Sequence, residues 1–405
     1  MDAAGPIVAT PATAARGLVI IGAGLAGWTV VREYRKLNPS APVTLVCADA
    51  GDFYAKPSLS NALAQKRMPE QLVSTPAAKM AQSLSLTLMV HTVVLAIDPS
   101  AQTIATNHGL LHYDQLVLAT GAQAIRVPLG GDAADRVLSV NSLTDFAQFH
   151  ARLVGADAGG SHVAIMGGGL IGCEFANDLV AVGHRVSVID PSPGPLAALL
   201  PAEAGAQLQQ ALAALGVTWH WGVTVKAVHP MTAVAGVEHP SALTLELSNG
   251  QTLSADTVLS AIGVKANLAL AQAAGLTCER GIVVDRALQT SERHIYALGD
   301  CAQYASAGNR TLPFVMPIMV AAKALATTLA GHRTELVFPP MPVGVKTPAM
   351  PIVVASAAPG TAGAWCKVED GVWNFVGSAG AVHGFVLTGK QTSRRGEFTG
   401  LLKPA

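Results

Sequence analysis

Leu18-Val19-Ile20-Ile21 running into Gly22-Ala23-Gly24-Leu25-Ala26-Gly27, and Val163-Ala164-Ile165-Met166 running into Gly167-Gly168-Gly169-Leu170-Ile171-Gly172, decide how this chain is read. In each, an apolar strand meets G-x-G-x-x-G and then a helical stretch. The first glycine allows a tight turn. The second lets backbone approach a pyrophosphate resting on the helix N-terminus, and the third lets helix and strand pack closely. One such hexapeptide is weak evidence. Two, each in strand–turn–helix context, point to two dinucleotides on one protein, and the usual reason to hold two is to pass electrons between them.

Working outward, 405 residues suit two or three domains. Half the residues are apolar and only 13% are charged, as expected of parallel sheets buried on both faces. The net charge of zero gives nucleic-acid binding no bulk electrostatic support. No apolar run reaches the roughly 18 residues of a membrane span, so no membrane insertion is expected. Residues 1–16 are rich in Ala, Pro and Thr, without the basic and apolar regions of a signal peptide, and read as a disordered tail. Cys47, Cys173, Cys278, Cys301 and Cys366 form no C-x-x-C and no zinc-type spacing. That scatter suits a reducing cytoplasm and leaves no dithiol relay. The twelve histidines show no ligand spacing, so no metal is expected.

Val43–Val46 reads as the second strand of the first unit, and Tyr113–Gly121 as a strand entering a small-residue turn. Arg185–Ile189 is the second strand of the second unit, ending at Asp190, and Ala255–Gly263 repeats the Tyr113–Gly121 plan. A helix is expected from Pro317 to about Leu329, where proline suits the first helical position. After Pro339, Pro and Gly with short β-type runs mark an α+β domain, and Gln391–Ala405 reads as loosely ordered.

With Ala119-Thr120-Gly121, the two fingerprints and the late Tyr296-Ala297-Leu298-Gly299-Asp300, the chain resembles the two-dinucleotide FAD/NAD(P)H reductases. Within them it is most similar to the rubredoxin–NAD⁺ reductases, through Tyr54-Ala55-Lys56-Pro57, Leu59-Ser60, Ile171–Asp178, Val315-Met316-Pro317 and Met341–Pro348. Two departures set it apart from oxygenase-type ferredoxin reductases: Val345-Lys346-Thr347-Pro348 in place of an aromatic segment, and Asn141 where those tend to carry Arg.

The resemblance implies an α/β fold with two Rossmann-like domains and a small C-terminal α+β domain. The FAD-binding domain is discontinuous (17–122 and 256–331), the NADH-binding domain spans 123–255, and residues 332–405 cover the flavin and contribute to acceptor docking. It also implies FAD contacts at Gly22, Ala23, Gly24, Leu25, Ala26, Gly27, Cys47, Ala48, Asp49, Lys56, Val94, Thr120, Gly121, Glu174, Asp300, Val315 and Lys346. NADH contacts fall at Gly167, Gly169, Leu170, Ile171, Gly172, Asp190 and Gly263.

The usual ribose-binding Glu position is Cys47, which cannot accept the ribose hydrogen bonds. Asp49 either reaches back to the ribose or is a loop acid. By resemblance, Asp300 accepts from a flavin ribityl hydroxyl, Lys56 lies beside flavin N5, and Glu174 meets Lys56 as the catalytic pair. The helix near Pro317 turns its positive end to the flavin ring. Lys346 adds a further cation. Asp190, 23 residues beyond Gly167 and so close to the roughly 20 expected, would accept from a ribose 2′-hydroxyl and repel a 2′-phosphate, which favours NADH.

The activity so implied takes hydride from NADH and passes electrons singly to rubredoxin, a small acidic iron protein. It would feed an alkane hydroxylase or an oxygen- or peroxide-detoxifying system. Lys66-Arg67 and Arg394-Arg395 are candidate docking cations. A ferredoxin reductase on the same scaffold and a non-catalytic redox sensor are the alternatives. A monomer is favoured.

Overall fold

The computed structural model describes residues 16–154, 160–231 and 242–402. The expected tail at residues 1–15 lies outside them. The chain forms two compact units. Of the described residues, one comprises those up to Ala55, Val73–Gln123 and Val264–Pro339; the other comprises Lys56–Leu72 and those between 124 and 263 and from 340 to 402.

The first unit is built on a five-stranded parallel sheet. Its order is Ile295–Ala297, Gln115–Leu118, Leu18–Ile21, Val43–Val46, Thr87–Met89. The fingerprint strand lies at the centre, every residue buried, because apolar side chains on both faces of a parallel sheet must be covered. The helix Leu25–Leu37 covers one face and packs against the helix Val315–Leu329, with the Thr29 hydroxyl 3.8 Å from Met319 Sδ. Val315–Leu329 starts two residues before the expected Pro317. Proline fits inside this first turn because the leading N–H groups of a helix have no intrahelical acceptor.

The second unit holds a four-stranded parallel sheet ordered Val217–Trp221, Arg185–Asp190, His162–Met166, Thr257–Ser260. Thr257–Ser260 therefore completes this sheet, and the chain returns to the first unit at Val264, not at 256. A three-stranded antiparallel sheet, Val225–Pro230, Leu243–Leu247 and Thr252–Ala255, packs its apolar side chains into the same core. The C-terminal portion is a five-stranded antiparallel sheet ordered Val343–Val345, Ile352–Ala355, Val382–Thr388, Val372–Gly377, Gly363–Glu369.

The described part of the stretch read as loosely ordered forms the end of a 3-10 turn, Gly389–Arg394, and a helix, Arg395–Leu401, while residues 403–405 lie outside the described residues. Its one buried side chain, Phe398, packs on Phe385 with ring centroids 5.7 Å apart, an anchor too sparse to show as periodicity. Among the described residues, no helix is long and apolar enough to cross a membrane.

Candidate functional site: two dinucleotide cradles and a buried polar helix face

In the first unit the glycines act as their spacing requires. Gly22 has φ +111°, and a methyl group there would lie 2.2 Å from Ala119 O. One at Gly27 would lie 1.9 Å from Gly22 O, whereas Gly24 faces open space. Gly24 caps the helix without a side-chain hydrogen bond, and no acidic residue stands in the first turn. The helix end, worth roughly half a positive charge, thus points into open space that suits a pyrophosphate.

Around this cradle, Ala119-Thr120-Gly121 leaves its strand beside Gly22, with the Ala119 N–H on Ile21 O at 2.8 Å. Asp300 sits in the 3-10 turn Gly299–Cys301. That turn is fixed from beneath by buried Tyr304, whose Oη accepts the Gly299 N–H at 2.7 Å, and Gly299 packs against Ala26 of the fingerprint helix. Cys47 is buried and its thiol is pushed up to about 12, chiefly by burial and then by Asp49, so it stays protonated. Asp49 is exposed and accepts the Gly51 N–H at 3.0 Å. Ala48 is exposed and Val94 half-buried. Val315 and Met316 expose apolar side chains at the start of their helix.

The second unit repeats the cradle. Gly167 has φ +109°, a methyl at Gly172 would lie 1.9 Å from Gly167 O, and Gly169 faces open space as an uncapped helix N-cap. Ile171 exposes an apolar side chain in the first turn, and Leu170 beside it is half-buried. Asp190 ends the second strand and accepts N–H groups from Gly168 and Ser192, each at 2.7 Å. Gly263, at φ +108°, is exposed at the end of the fourth strand, where its carbonyl accepts the Ile125 N–H at 3.0 Å.

Further along the second fingerprint helix, Leu170–Ala181, three polar side chains on one face are buried: Glu174, Asn177 and Asp178. Glu174 accepts the Ser60 hydroxyl at 2.6 Å and the Lys346 N–H at 2.9 Å, and forms an ion pair with the Lys346 ammonium. That ammonium also reaches Ser60 Oγ at 3.1 Å. Asn177 accepts the Ala349 N–H at 3.1 Å. Asp178 accepts the N–H groups of Leu63 and Ala64 at 3.0 and 2.9 Å. Burial pushes the Asp178 carboxyl up, against the pull of those two donors.

The cation anticipated from the C-terminal segment, Lys346, is thus an ion-pair partner of Glu174. Lys56 is half-buried at the head of the 3-10 turn Lys56–Asn61, which also carries Ser60. Ser60, Asn177, Asp178 and Trp221 were not singled out by role. The available signal for the helix was Asn177 and a second carboxylate three and four residues after Glu174 among mostly apolar residues, since buried charges are retained only where they are bonded.

Of the candidate docking cations, Arg394 is held by Glu397 (2.7 and 2.8 Å) and by Glu369, and Arg395 donates to Pro342 O at 2.9 Å. Arg394 is thus paired with acids, whereas Arg395 is exposed and bonded only to a backbone carbonyl. All five cysteines are free thiols, and among the described residues no three His, Cys, Asp or Glu side chains converge on a metal-sized site.

Residues 16–327 match the family described as pyridine nucleotide-disulphide oxidoreductase, and residues 335–402 match the rubredoxin binding C-terminal domain. The chain is 41% identical to a rubredoxin–NAD(+) reductase of Alcanivorax borkumensis, covering 93% of this chain and 96% of that protein. It is 39% identical to a nitric oxide reductase FlRd–NAD(+) reductase of Aeromonas salmonicida, covering 93% and 94%. In fold it is similar to the putidaredoxin reductase in a covalent complex with putidaredoxin, with a TM-score of 0.84, 23% identity, and 97% and 94% of the two chains covered. With both cradles formed and both segments matched, the chain belongs to the pyridine nucleotide-disulphide oxidoreductase family and carries that family's rubredoxin binding domain at its C-terminal end.

Proposed function

We propose that this chain is an NADH-dependent flavoprotein reductase that delivers electrons to rubredoxin. One observation carries the reading: two open glycine cradles precede a segment of the rubredoxin-binding type in the same chain. FAD, when bound, supplies the exchange between a two-electron donor and one-electron acceptors, which no protein side chain here could perform.

The protein's part is binding and charge placement. The N–H groups at Gly22–Gly27 would hold the FAD pyrophosphate, and Asp300 would accept from a ribityl hydroxyl, a charge-assisted bond about twice as strong as a neutral one. Lys56 and Lys346 would be the cations that serve the reduced cofactor, and Glu174 fixes the position of Lys346. Asp190 accepts from the ribose 2′-hydroxyl of NADH. The fixed helix ends and the bonded carboxylate need no reorganisation when charge develops, which is the condition for electrostatic assistance. Unpaired cysteines fit a reducing cytoplasm.

Rapid mixing tests the reading. NADH should bleach the flavin of the holoprotein, and rubredoxin should restore its colour faster than a [2Fe–2S] ferredoxin or oxygen does. Reoxidation fastest with the ferredoxin would favour the oxygenase-type alternative. A persistent coloured complex with no turnover on any acceptor would favour a sensor. A second reading, delivery to the acceptor of a nitric oxide reductase system, draws support from the FlRd–NAD(+) reductases at 39% identity.

A further inference from the structure

The strand Val217–Trp221 ends on an aromatic residue beside the second cradle. Trp221 pairs in register with Asp190 on the neighbouring parallel strand, so both side chains leave the sheet on the same face. The indole is held in place twice over. It stacks on Trp219 with centroids 4.8 Å apart and planes 15° from parallel, and its Nε1–H donates to Gln209 Oε1 at 3.0 Å. Its outer edge reaches the glycine turn: a methyl at Gly168 would lie 2.8 Å from Cζ3, 3.0 Å from Cη2, and 3.5 Å from Asp190 Cβ. The indole edge, the turn and the carboxylate thus converge on one spot. The first fingerprint has Ala23 where the second has Gly168, and the ring occupies the space that a Cβ at 168 would need.

We infer that Trp221 is a specificity-determining residue of the dinucleotide site, walling the side of Asp190 on which an adenosine ribose presents its 2′ position. The inference rests on the assignment of the second fingerprint to NADH. A carboxylate alone discriminates only by charge, and water or a cation beside it would screen that charge. A fixed indole removes the room for either. Displacing water lowers the local dielectric, which strengthens both the bond from Asp190 to a 2′-hydroxyl and its repulsion of a 2′-phosphate. Bulk and charge then refuse NADPH together.

The test uses FAD-loaded protein with a dye acceptor, comparing kcat/KM for NADH and NADPH in the wild type, Asp190→Ala, Trp221→Ala and the double variant. Calorimetry with ADP-ribose and its 2′-phosphate gives a readout independent of turnover. Asp190→Ala should weaken NADH binding about tenfold or more, the worth of a hydrogen bond to a charged group, while NADPH stays the poorer donor. Adding Trp221→Ala should bring the two donors to near parity. Trp221→Phe should retain most of the discrimination. Trp221→Val provides the same comparison if Trp221→Ala does not hold flavin. Parity in Asp190→Ala alone, or an unchanged NADH/NADPH ratio on truncating Trp221 in both backgrounds, overturns the inference. An unchanged NADH affinity in Asp190→Ala would instead overturn the assignment of the second fingerprint.

Discussion

Glu174 and Lys346 lie 172 positions apart in the chain and form an ion pair in which the carboxylate side chain is 4% exposed and the lysine 31%. Removing one member of a fully buried pair costs about 3–5 kcal/mol, and the part-exposed ammonium lowers that figure here. Glu174→Gln should therefore destabilise the holoprotein by about 1–3 kcal/mol in urea titrations, after discounting for solvent. It should also slow NADH oxidation at saturating donor. Lys346→Met should cost a similar amount, because it takes the ammonium away from a buried carboxylate. A wild-type urea midpoint in both variants would show that the pair contributes nothing.

Asp178 offers a separate handle on the same helix. It accepts two backbone N–H groups just after the turn that carries Lys56 and Ser60. Asp178→Asn keeps the shape but leaves one N–H without an acceptor, at about 1–3 kcal/mol. If the carboxylate positions that turn, the variant should also change the pH profile of NADH oxidation while leaving the NADH KM near its wild-type value. Lost stability with an unchanged pH profile would reduce Asp178 to a structural anchor.

The glycines of the second fingerprint should separate by what they touch. Gly172→Ala drives a methyl to 1.9 Å from the Gly167 carbonyl oxygen, against backbone, and no neighbouring side-chain change should rescue it. Gly168→Ala meets the Trp221 ring at 2.8 Å. It should cost about 1–3 kcal/mol, the usual range for overpacking, and a smaller residue at 221 should recover part of that. Equal penalties in the Trp221 and truncated backgrounds would contradict this contact.

Two histidines give the second unit a defined acid response. Burial lowers His162, with Arg185 adding to the effect, and burial lowers His184. His162 Nε2 lies 2.9 Å from Ser187 Oγ, and His184 Nδ1 accepts the Ser161 N–H at 3.0 Å, a bond that needs an unprotonated nitrogen. The unfolded chain protonates first as pH falls. Stability is therefore complete above the ordinary histidine value of about 6.5 and declines as pH drops through the lowered folded values. Urea midpoints should fall between about pH 7.5 and 5.5, and less steeply in His184→Gln.

Asp300→Ala should produce protein that loses its yellow colour on gel filtration and melts earlier, since a ligand that binds only the native state stabilises it by mass action. Retained flavin absorbance would remove Asp300 from the cofactor site.

The glycine fingerprints, their flanking strands and the general α/β plan were readable because they are local. Whether a turn can form, and whether a helix can approach a strand, depends on residues within a few positions of one another. The partners of Glu174 and Asp178, the ring on Gly168 and the order in the last C-terminal stretch were not readable in this way. Each depends on contacts between segments distant along the chain, which leave no periodicity behind. Lys346 reads, by resemblance, as one more cation for the flavin, and only folding shows the buried carboxylate it pairs with. Trp221 carries no reading of its own, and only parallel register sets it next to Asp190. The chain's linear pattern thus specified that two nucleotide cradles exist and in which order. Which side chains face each other around them followed from three-dimensional packing, because desolvating a charge is tolerated only where the fold delivers its partner.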